Sequence, residues 1–289
     1  MATAKLLLLM VLVAASSCDG SAWRGPLSRL RMLPTAQYVV EAAAERLKED
    51  VSSAPLIHAL HPLLGSAGDF SRRAGVPCDS WRLAVETYNK RDWTTVPASC
   101  EGYVGHYMLG GHYRRDSRVV VDEAVAYAET LNLGGNGKEV WVFDIDETSL
   151  SNLPYYANHG FGAQPYNATN FDEYVVNATA PALPEVLELY EKLLSLGTKV
   201  MFITGRHDTE KEATIKNLRS AGYHTWEKLV LKPSSLGSSV VPYKSGERQK
   251  LVDAGYRIVG NMGDQWSDLL GAPEGDRTFK VPDPMYYVG

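Results

Sequence analysis

Four aspartates in this 289-residue chain are spaced so that a fold of parallel strands could bring them to one place. Asp144 and Asp146 follow one short apolar run, and Asp264 and Asp268 follow another apolar run much later in the chain. Four carboxylates packed together would repel one another strongly unless a cation lay among them. Mg²⁺ suits a site made of a few carboxylates and a phosphate oxygen. The four aspartates therefore predict a Mg²⁺ site that binds a phosphorylated ligand.

Three further residues would converge on the same place. Thr204 and Gly205 end a second apolar run and offer a hydroxyl group and a backbone amide, and Lys244 begins a predicted helix. Lys232 and Lys250 are alternatives to Lys244, because the first also follows an apolar run and the second shares the helix. Each feature alone is more often a turn, a helix cap or a surface charge. Their occurrence together, each at the end of its own strand or at the start of a helix, indicates a functional site.

The elements that must position these residues are strands and helices that alternate after a glycine-rich turn at 134–137. Short apolar and β-branched runs predict strands over 140–145, 198–204, 228–232 and 256–261. Helical patterns predict helices over 184–196, 209–221 and 244–254. This alternation predicts an α/β fold, a Rossmann-like parallel sheet with helices on both faces. Ligands of such folds bind at the carboxyl ends of the strands, where the candidate residues lie.

The N-terminus predicts entry into the secretory route. Lys5 precedes an apolar run over 6–15, and small and polar residues follow it, as in a signal peptide, here over 1–22. The run is too short for a membrane span, which takes about 20 residues, and a buried N-terminal helix is the alternative. Cleavage removes Cys18 and leaves Cys78 and Cys100. In an oxidising compartment these two pair most simply with each other, and two free buried thiols are the alternative.

The rest of the chain predicts a soluble glycoprotein. Residues 23–133 predict a mostly helical N-terminal region with helical patterns at 36–51 and 118–131. Sequons at Asn167 and Asn177 predict surface N-glycosylation. The composition, 45% hydrophobic and 22% charged, excludes a disordered or collagen-like chain. The net charge of −5 argues against a protein that wraps nucleic acid, and no later stretch reaches the length of a membrane span.

These residues resemble the haloacid dehalogenase (HAD) superfamily of phosphohydrolases. Its motifs correspond in order to Asp144, Asp146 and Thr148, to Thr204, to Lys244, and to the pair Asp264 and Asp268. The chain is more closely similar to class B-like plant acid phosphatases related to the vegetative storage proteins. The segments that carry this likeness are CDSWR at 78–82, DWTTVP at 92–97, VFDIDET at 142–148, LPYY at 153–156 and GDQWSDLLG at 263–271. The similarity runs from about residue 76 to the C-terminus.

The resemblance implies a covalent mechanism centred on two aspartates. Asp144 would attack the phosphorus and form an aspartyl-phosphate. Asp146 would protonate the leaving oxygen and then take a proton from the hydrolytic water. Because Asp146 must carry a proton at the working pH, an acidic optimum would follow.

The resemblance also implies a Mg²⁺ site and a phosphoryl site. Asp144, Asp264 and the backbone carbonyl of Asp146 would bind the metal, and Asp268 would hold Asp264, the metal-bound waters or Lys244 in place. The substrate phosphoryl oxygens would be bound by Thr204, the amide of Gly205 and Lys244.

As a whole, the resemblance implies a HAD-like catalytic core over 134–289, with a small cap insertion at about 149–184. The expected function is that of a secreted or vacuolar Mg²⁺-dependent acid phosphatase acting on small phosphomonoesters. A vegetative storage glycoprotein with weak or vestigial phosphatase activity is the alternative, and a phosphotransferase is a third possibility. A homodimer is one possible assembly, which only the resemblance suggests.

Overall fold

The computed structural model describes residues 77–237 and 239–289. Its helices are α1 Cys78–Glu86, α2 Glu101–Leu109, α3 Gly111–Thr130, α4 Leu153–Ala157, α5 Ala168–Asn177, α6 Pro184–Ser195, α7 Lys211–Ser220, α8 Val240–Asp253 and α9 Trp266–Leu269. Its strands are β1 Glu139–Phe143, β2 Lys199–His207, β3 Lys228–Lys232, β4 Arg257–Gly263 and β5 Thr278–Lys280. The predicted signal peptide at 1–22 and the helical pattern at 36–51 lie outside the described residues.

The five strands form one parallel sheet in the order β3-β2-β1-β4-β5. This confirms the predicted α/β fold, including each of the four predicted strands. β5 was not predicted. The central position of β1 brings the residues after it between the ends of β2 and β4, which is where a ligand site forms in such sheets.

Helices cover both faces of the sheet. Trp141 and Phe143 of β1 pack on one face with residues of α3 and α6. Val140 and Val142 pack on the other face with residues of α8. Side chains that alternate between two buried faces explain why β1 is apolar throughout its centre. Neighbouring β4 approaches so closely that a Cβ at Gly260 would lie 2.3 Å from the Trp141 ring.

The described part of the N-terminal region is mostly helical, as predicted, and consists of α1, α2 and α3. Cys78 and Cys100 form the predicted disulfide, which joins the start of α1 to the residue before α2. Arg114 of α3 forms an ion pair with the buried Glu185 of α6, with 2.7 Å between Nη2 and Oε1. This ion pair connects the helical region to α6, which covers the sheet.

An insertion between β1 and α6 leaves the core and returns to it at one point. Leu150 and Ala182 form an antiparallel bridge there, and the amide of Ser151 donates to the carbonyl of Pro181 at 2.8 Å. The insertion carries α4 and α5, whose aromatic side chains pack on one another; for example, the rings of Tyr155 and Phe171 lie 5.1 Å apart, edge to face. This segment corresponds to the predicted cap.

The predicted start of a helix at Lys244 is wrong. α8 begins at Val240, so that Lys244 lies in its second turn. The reason is Pro242, which interrupts the apparent helical pattern but is tolerated in the first turn, where a backbone N–H has no partner within the helix.

In the part of the chain that the structure describes, no helix is both long and apolar enough to cross a membrane.

Candidate active site

Two neighbouring strands position the first pair of acidic groups. Asp144 comes directly after β1, and its amide donates to the carbonyl of Met262 in β4 at 3.0 Å, so the sheet holds its backbone. Asp264 comes directly after Gly263, the last residue of β4. The parallel pairing of β1 with β4 therefore brings both aspartates to the carboxyl edge of the sheet.

A third aspartate completes a compact acidic group with them. One carboxylate oxygen from each of Asp144, Asp264 and Asp268 lies within 4.8 Å of the other two, and all three residues are buried. The amide of Gln265 donates to Asp268 Oδ2 at 2.9 Å and so holds this carboxylate at the start of α9. Gly263 leaves the necessary space, because a Cβ there would lie 2.3 Å from Asp268.

Lys244 joins this acidic group. Its buried Nζ donates to Asp144 Oδ1 and, at 2.6 Å, to Asp268 Oδ1. Burial acts to lower the pKa of Lys244, but the two carboxylates outweigh it and raise the pKa, so the side chain keeps its charge. Lys250, one of the two alternatives to Lys244, is exposed and pairs with Glu247.

The charges of this group are not balanced by Lys244 alone. Burial raises the pKa of Asp144 well above its ordinary value, Lys244 opposes this, and Asp268 and Asp264 reinforce it. Three carboxylates and one ammonium group leave two negative charges when all are ionised. A set of buried carboxylate oxygens with this excess fits a divalent metal ion, which also lowers the pKa values of its ligands.

Asp146 faces a different partner. Its Oδ1 lies 2.7 Å from Arg206 Nη2, its Oδ2 lies 3.0 Å from Arg206 Nε, and Asn152 Nδ2 donates to Oδ1 at 2.7 Å. Burial acts to raise the pKa of Asp146, but the guanidinium group of Arg206 outweighs it and lowers the pKa. The side chain of Asp146 is thus outside the three-aspartate group.

Thr204 and Gly205 lie on β2 beside this pair. The buried hydroxyl oxygen of Thr204 accepts a hydrogen bond from the amide of Arg206 at 3.1 Å, so its own hydrogen can be donated to a ligand. A Cβ added at Gly205 would meet no atom within 4 Å, so open space lies beside its backbone. This space is consistent with the approach of a ligand to the Gly205 amide.

The comparison with known families identifies the chain. The model described as "HAD superfamily, subfamily IIIB (Acid phosphatase)" matches residues 66–289. The chain belongs to this family. Acid phosphatase 1 of Solanum lycopersicum is 46% identical over 228 residues, covering 78% of this chain and 89% of the relative.

Other relatives of this chain have names of a different kind. The Stem 28 kDa glycoprotein of Glycine max is 47% identical over 232 residues, covering 79% of this chain and 91% of the relative. Vegetative storage protein 2 of Arabidopsis thaliana is 43% identical, covering 73% and 80%. A solved structure of the class C acid phosphatase from Bacillus anthracis shares the fold, with a TM-score of 0.56, 24% identity, and coverage of 66% of this chain and 86% of that one.

The structure of this subfamily IIIB member also reveals acidic residues that were not assigned to the site from the sequence. Glu147 is fully buried and accepts hydrogen bonds from Asn152 and, at 3.2 Å, from the hydroxyl of Tyr286. Burial raises the pKa of Glu147, and the nearby carboxylate of Asp283 adds to this. Glu147 could have been suspected because it adjoins Asp146, whereas nothing in the pattern around Asp283 indicates the site. Arg206 could have been assigned as the residue that follows Thr204 and Gly205.

Proposed function

We propose that this chain is a Mg²⁺-dependent acid phosphatase that hydrolyses small phosphomonoesters. The observation that carries the proposal is the contact of Lys244 with both Asp144 and Asp268, beside a third buried aspartate. This arrangement combines a nucleophile, a fixed positive charge and a set of metal ligands. Phosphoryl transfer needs these parts, because its catalysis is mostly positioning and charge neutralisation.

Asp144 is the proposed nucleophile. Its carboxylate attacks the phosphorus and forms an aspartyl-phosphate while the bond to the leaving oxygen breaks and Asp146 gives that oxygen a proton. A water molecule then attacks the same phosphorus and transfers a proton to Asp146. This second step releases inorganic phosphate and restores Asp144.

Asp146 needs a proton for the first step, although Arg206 favours its ionised form. A phosphate group that binds beside Arg206 brings negative charge towards Asp146 and competes for the same guanidinium donors. Both effects raise the pKa of Asp146 towards the range in which it can donate a proton. An acidic medium increases the protonated fraction further, which supports an acidic optimum.

The other site residues have supporting roles. Asp144, Asp264 and the backbone carbonyl of Asp146 would hold Mg²⁺. When bound, Mg²⁺ supplies a positive charge that neutralises the phosphoryl oxygens. Asp268 holds Lys244 at 2.6 Å. The transferring phosphoryl group would be bound by the hydroxyl of Thr204, the amide of Gly205 and Nζ of Lys244.

The compartment is proposed to be extracellular or vacuolar. Asn167 and Asn177 both lie exposed on the cap, which suits glycosylation in the secretory route. A storage role is the second candidate, supported by relatives named as stem glycoproteins and vegetative storage proteins. The presence of Asp144 with its full set of partners favours catalysis. Phosphotransfer to an alcohol instead of water, and a homodimer, stay open proposals.

The test is hydrolysis of p-nitrophenyl phosphate by the purified mature chain from acid to neutral pH, with Mg²⁺ or with a chelator. We expect activity that needs Mg²⁺ and that falls by about 10³-fold or more in Asp144→Asn, because an amide is no nucleophile here. Asp253→Asn, at an exposed position on α8, is the matched control and keeps full activity. An inactive wild type would support storage instead, and a fully active Asp144→Asn variant would refute the nucleophile.

A further inference from the structure

The side chain of Gln265 connects a proposed metal ligand to the last residues of the chain. Gln265 is buried, and its Nε2 donates to Asp264 Oδ2 at 2.7 Å and to Asp283 Oδ2 at 3.0 Å. Its Oε1 accepts a hydrogen bond from the amide of Val288 at 3.1 Å. Nε2 also donates to the carbonyl of Tyr286 at 3.4 Å, so one amide group contacts an aspartate at the end of β4 and three residues near the C-terminus.

Residues 283–288, the C-terminal strap, are themselves held at both the core and the cap. Asp283 Oδ1 accepts a hydrogen bond from the amide of Met285 at 2.9 Å. The hydroxyl of Tyr286 donates to the buried Glu147 at 3.2 Å, and its ring stacks on Tyr156 of the cap with 5.3 Å between centroids. The strap thus has a fixed position from which it can hold Gln265.

The orientation of the Asp264 carboxylate depends on this arrangement. Thr148 Oγ1 donates to Asp264 Oδ1 at 3.1 Å, and Gln265 donates to the other oxygen. A carboxylate that is hydrogen-bonded on both oxygens has little freedom left to lose when it binds a metal. Partners that orient ligands in this way typically change metal affinity by about 10–100-fold when they are removed.

We propose that Gln265, held by the C-terminal strap, is a positioning residue that sets the metal affinity of Asp264. The inference rests on the proposed function, because it requires the Mg²⁺ site. Gln265 does not hydrogen-bond Asp144 or Lys244 through its side chain, so the strap acts on metal binding rather than on the nucleophile.

The test is the dissociation constant of Mg²⁺, measured by isothermal titration calorimetry on the full mature chain. Gln265→Met keeps the length of the side chain and removes its hydrogen bonds, and we expect Mg²⁺ to bind about 10–100-fold more weakly. The concentration of Mg²⁺ for half-maximal activity rises by the same factor, while kcat at saturating Mg²⁺ stays close to that of the wild type. Gln249→Met, at an exposed position on α8, is the control and leaves the dissociation constant unchanged.

An unchanged dissociation constant in a folded Gln265→Met variant would overturn the inference. If that variant fails to fold, Gln265→Asn replaces it. Asparagine keeps the amide group, but its side chain is one methylene too short to reach both Asp264 and the strap. An unchanged dissociation constant in Gln265→Asn would also overturn the inference. A wild type that binds Mg²⁺ while the variants bind it equally well refutes only the role of Gln265. A wild type that binds no Mg²⁺ refutes the proposed metal dependence, and this inference with it.

Discussion

The ion pair between Asp146 and Arg206 sets the proton affinity of the proposed general acid. The Arg206 side chain is almost fully buried, and it contacts both oxygens of Asp146. A buried guanidinium group at this distance favours the carboxylate, so the pair determines at which pH Asp146 can donate a proton. The residues of the site are therefore coupled through charge as well as through position.

Replacing Arg206 by glutamine should change both the pH profile and the stability. Without the guanidinium group the pKa of Asp146 rises, and because an acid donates a proton below its pKa, the alkaline limb of kcat/KM moves to higher pH. At neutral pH, Arg206→Gln removes the charged partner of the partly buried Asp146 carboxylate, which Asn152 still contacts, so it should cost at most about 3–5 kcal/mol of unfolding free energy. This cost shrinks at a pH low enough to protonate Asp146.

The measurements are pH profiles of kcat/KM with p-nitrophenyl phosphate and urea unfolding at two pH values. Arg219→Gln, on the exposed side of α7, is the control and should alter neither. An alkaline limb that stays in place or moves to lower pH would contradict the coupling between Arg206 and Asp146.

The disulfide acts at the scale of secondary-structure elements. Cys78 and Cys100 lie 22 positions apart, and their bond ties the start of α1 to the start of α2. A cross-link of this loop length restricts the unfolded chain and stabilises the folded protein by roughly 3 kcal/mol in the chain-entropy model. We expect the variant with both Cys78→Ala and Cys100→Ala to lose about this much.

Urea unfolding of the oxidised wild type, the reduced wild type and the double variant measures this loss. Reduction breaks the cross-link without removing side-chain atoms, so the reduced wild type separates the cross-link from any cavity that alanine leaves. Equal stability of the oxidised and reduced wild type would contradict a stabilising role for the bond.

The sheet could be predicted from the sequence because its central strands are buried on both faces and therefore read as short apolar runs. β5 has only three residues, too few for a recognisable pattern. Asp144 and Asp264 could be proposed because each follows an apolar run, and Lys244 because it stands at the start of a helical pattern. The partnership of Arg206 with Asp146, 60 positions apart, depends on side-chain geometry that no local pattern carries.

Gln265 shows the same limit at the other end of the chain. Gln265 follows Asp264 directly in the sequence, so its place beside the site could be predicted. Its contact with Asp283 could not, because it depends on how the chain returns after β5. The sequence therefore indicates which strand ends meet. It does not indicate which further segments of the chain pack against those strand ends.

At the scale of the whole molecule, buried carboxylates make stability depend on pH and on metal. Burial raises the pKa of Asp144, Glu147 and Asp264, and it raises that of Asp283 from 3.8 to about 7. For each group the folded protein holds a proton more tightly than the unfolded chain. The free energy of unfolding contributed by these groups is therefore present at low pH and falls as the pH rises above the ordinary carboxylate range, for Asp283 up to about 7.

In the presence of a chelator, we accordingly expect the melting temperature to fall as the pH is raised from about 5 to about 7. Mg²⁺ should reverse this fall, because it binds the ionised carboxylates and stabilises the folded state by about 2.7 kcal/mol at a concentration 100 times its dissociation constant. The gain should be larger at pH 7 than at pH 5.

Differential scanning calorimetry with chelator, with Mg²⁺, and with NaCl at equal ionic strength tests these expected changes in melting temperature. A melting temperature in chelator that rises over this range, or a gain with NaCl equal to that with Mg²⁺, would contradict it.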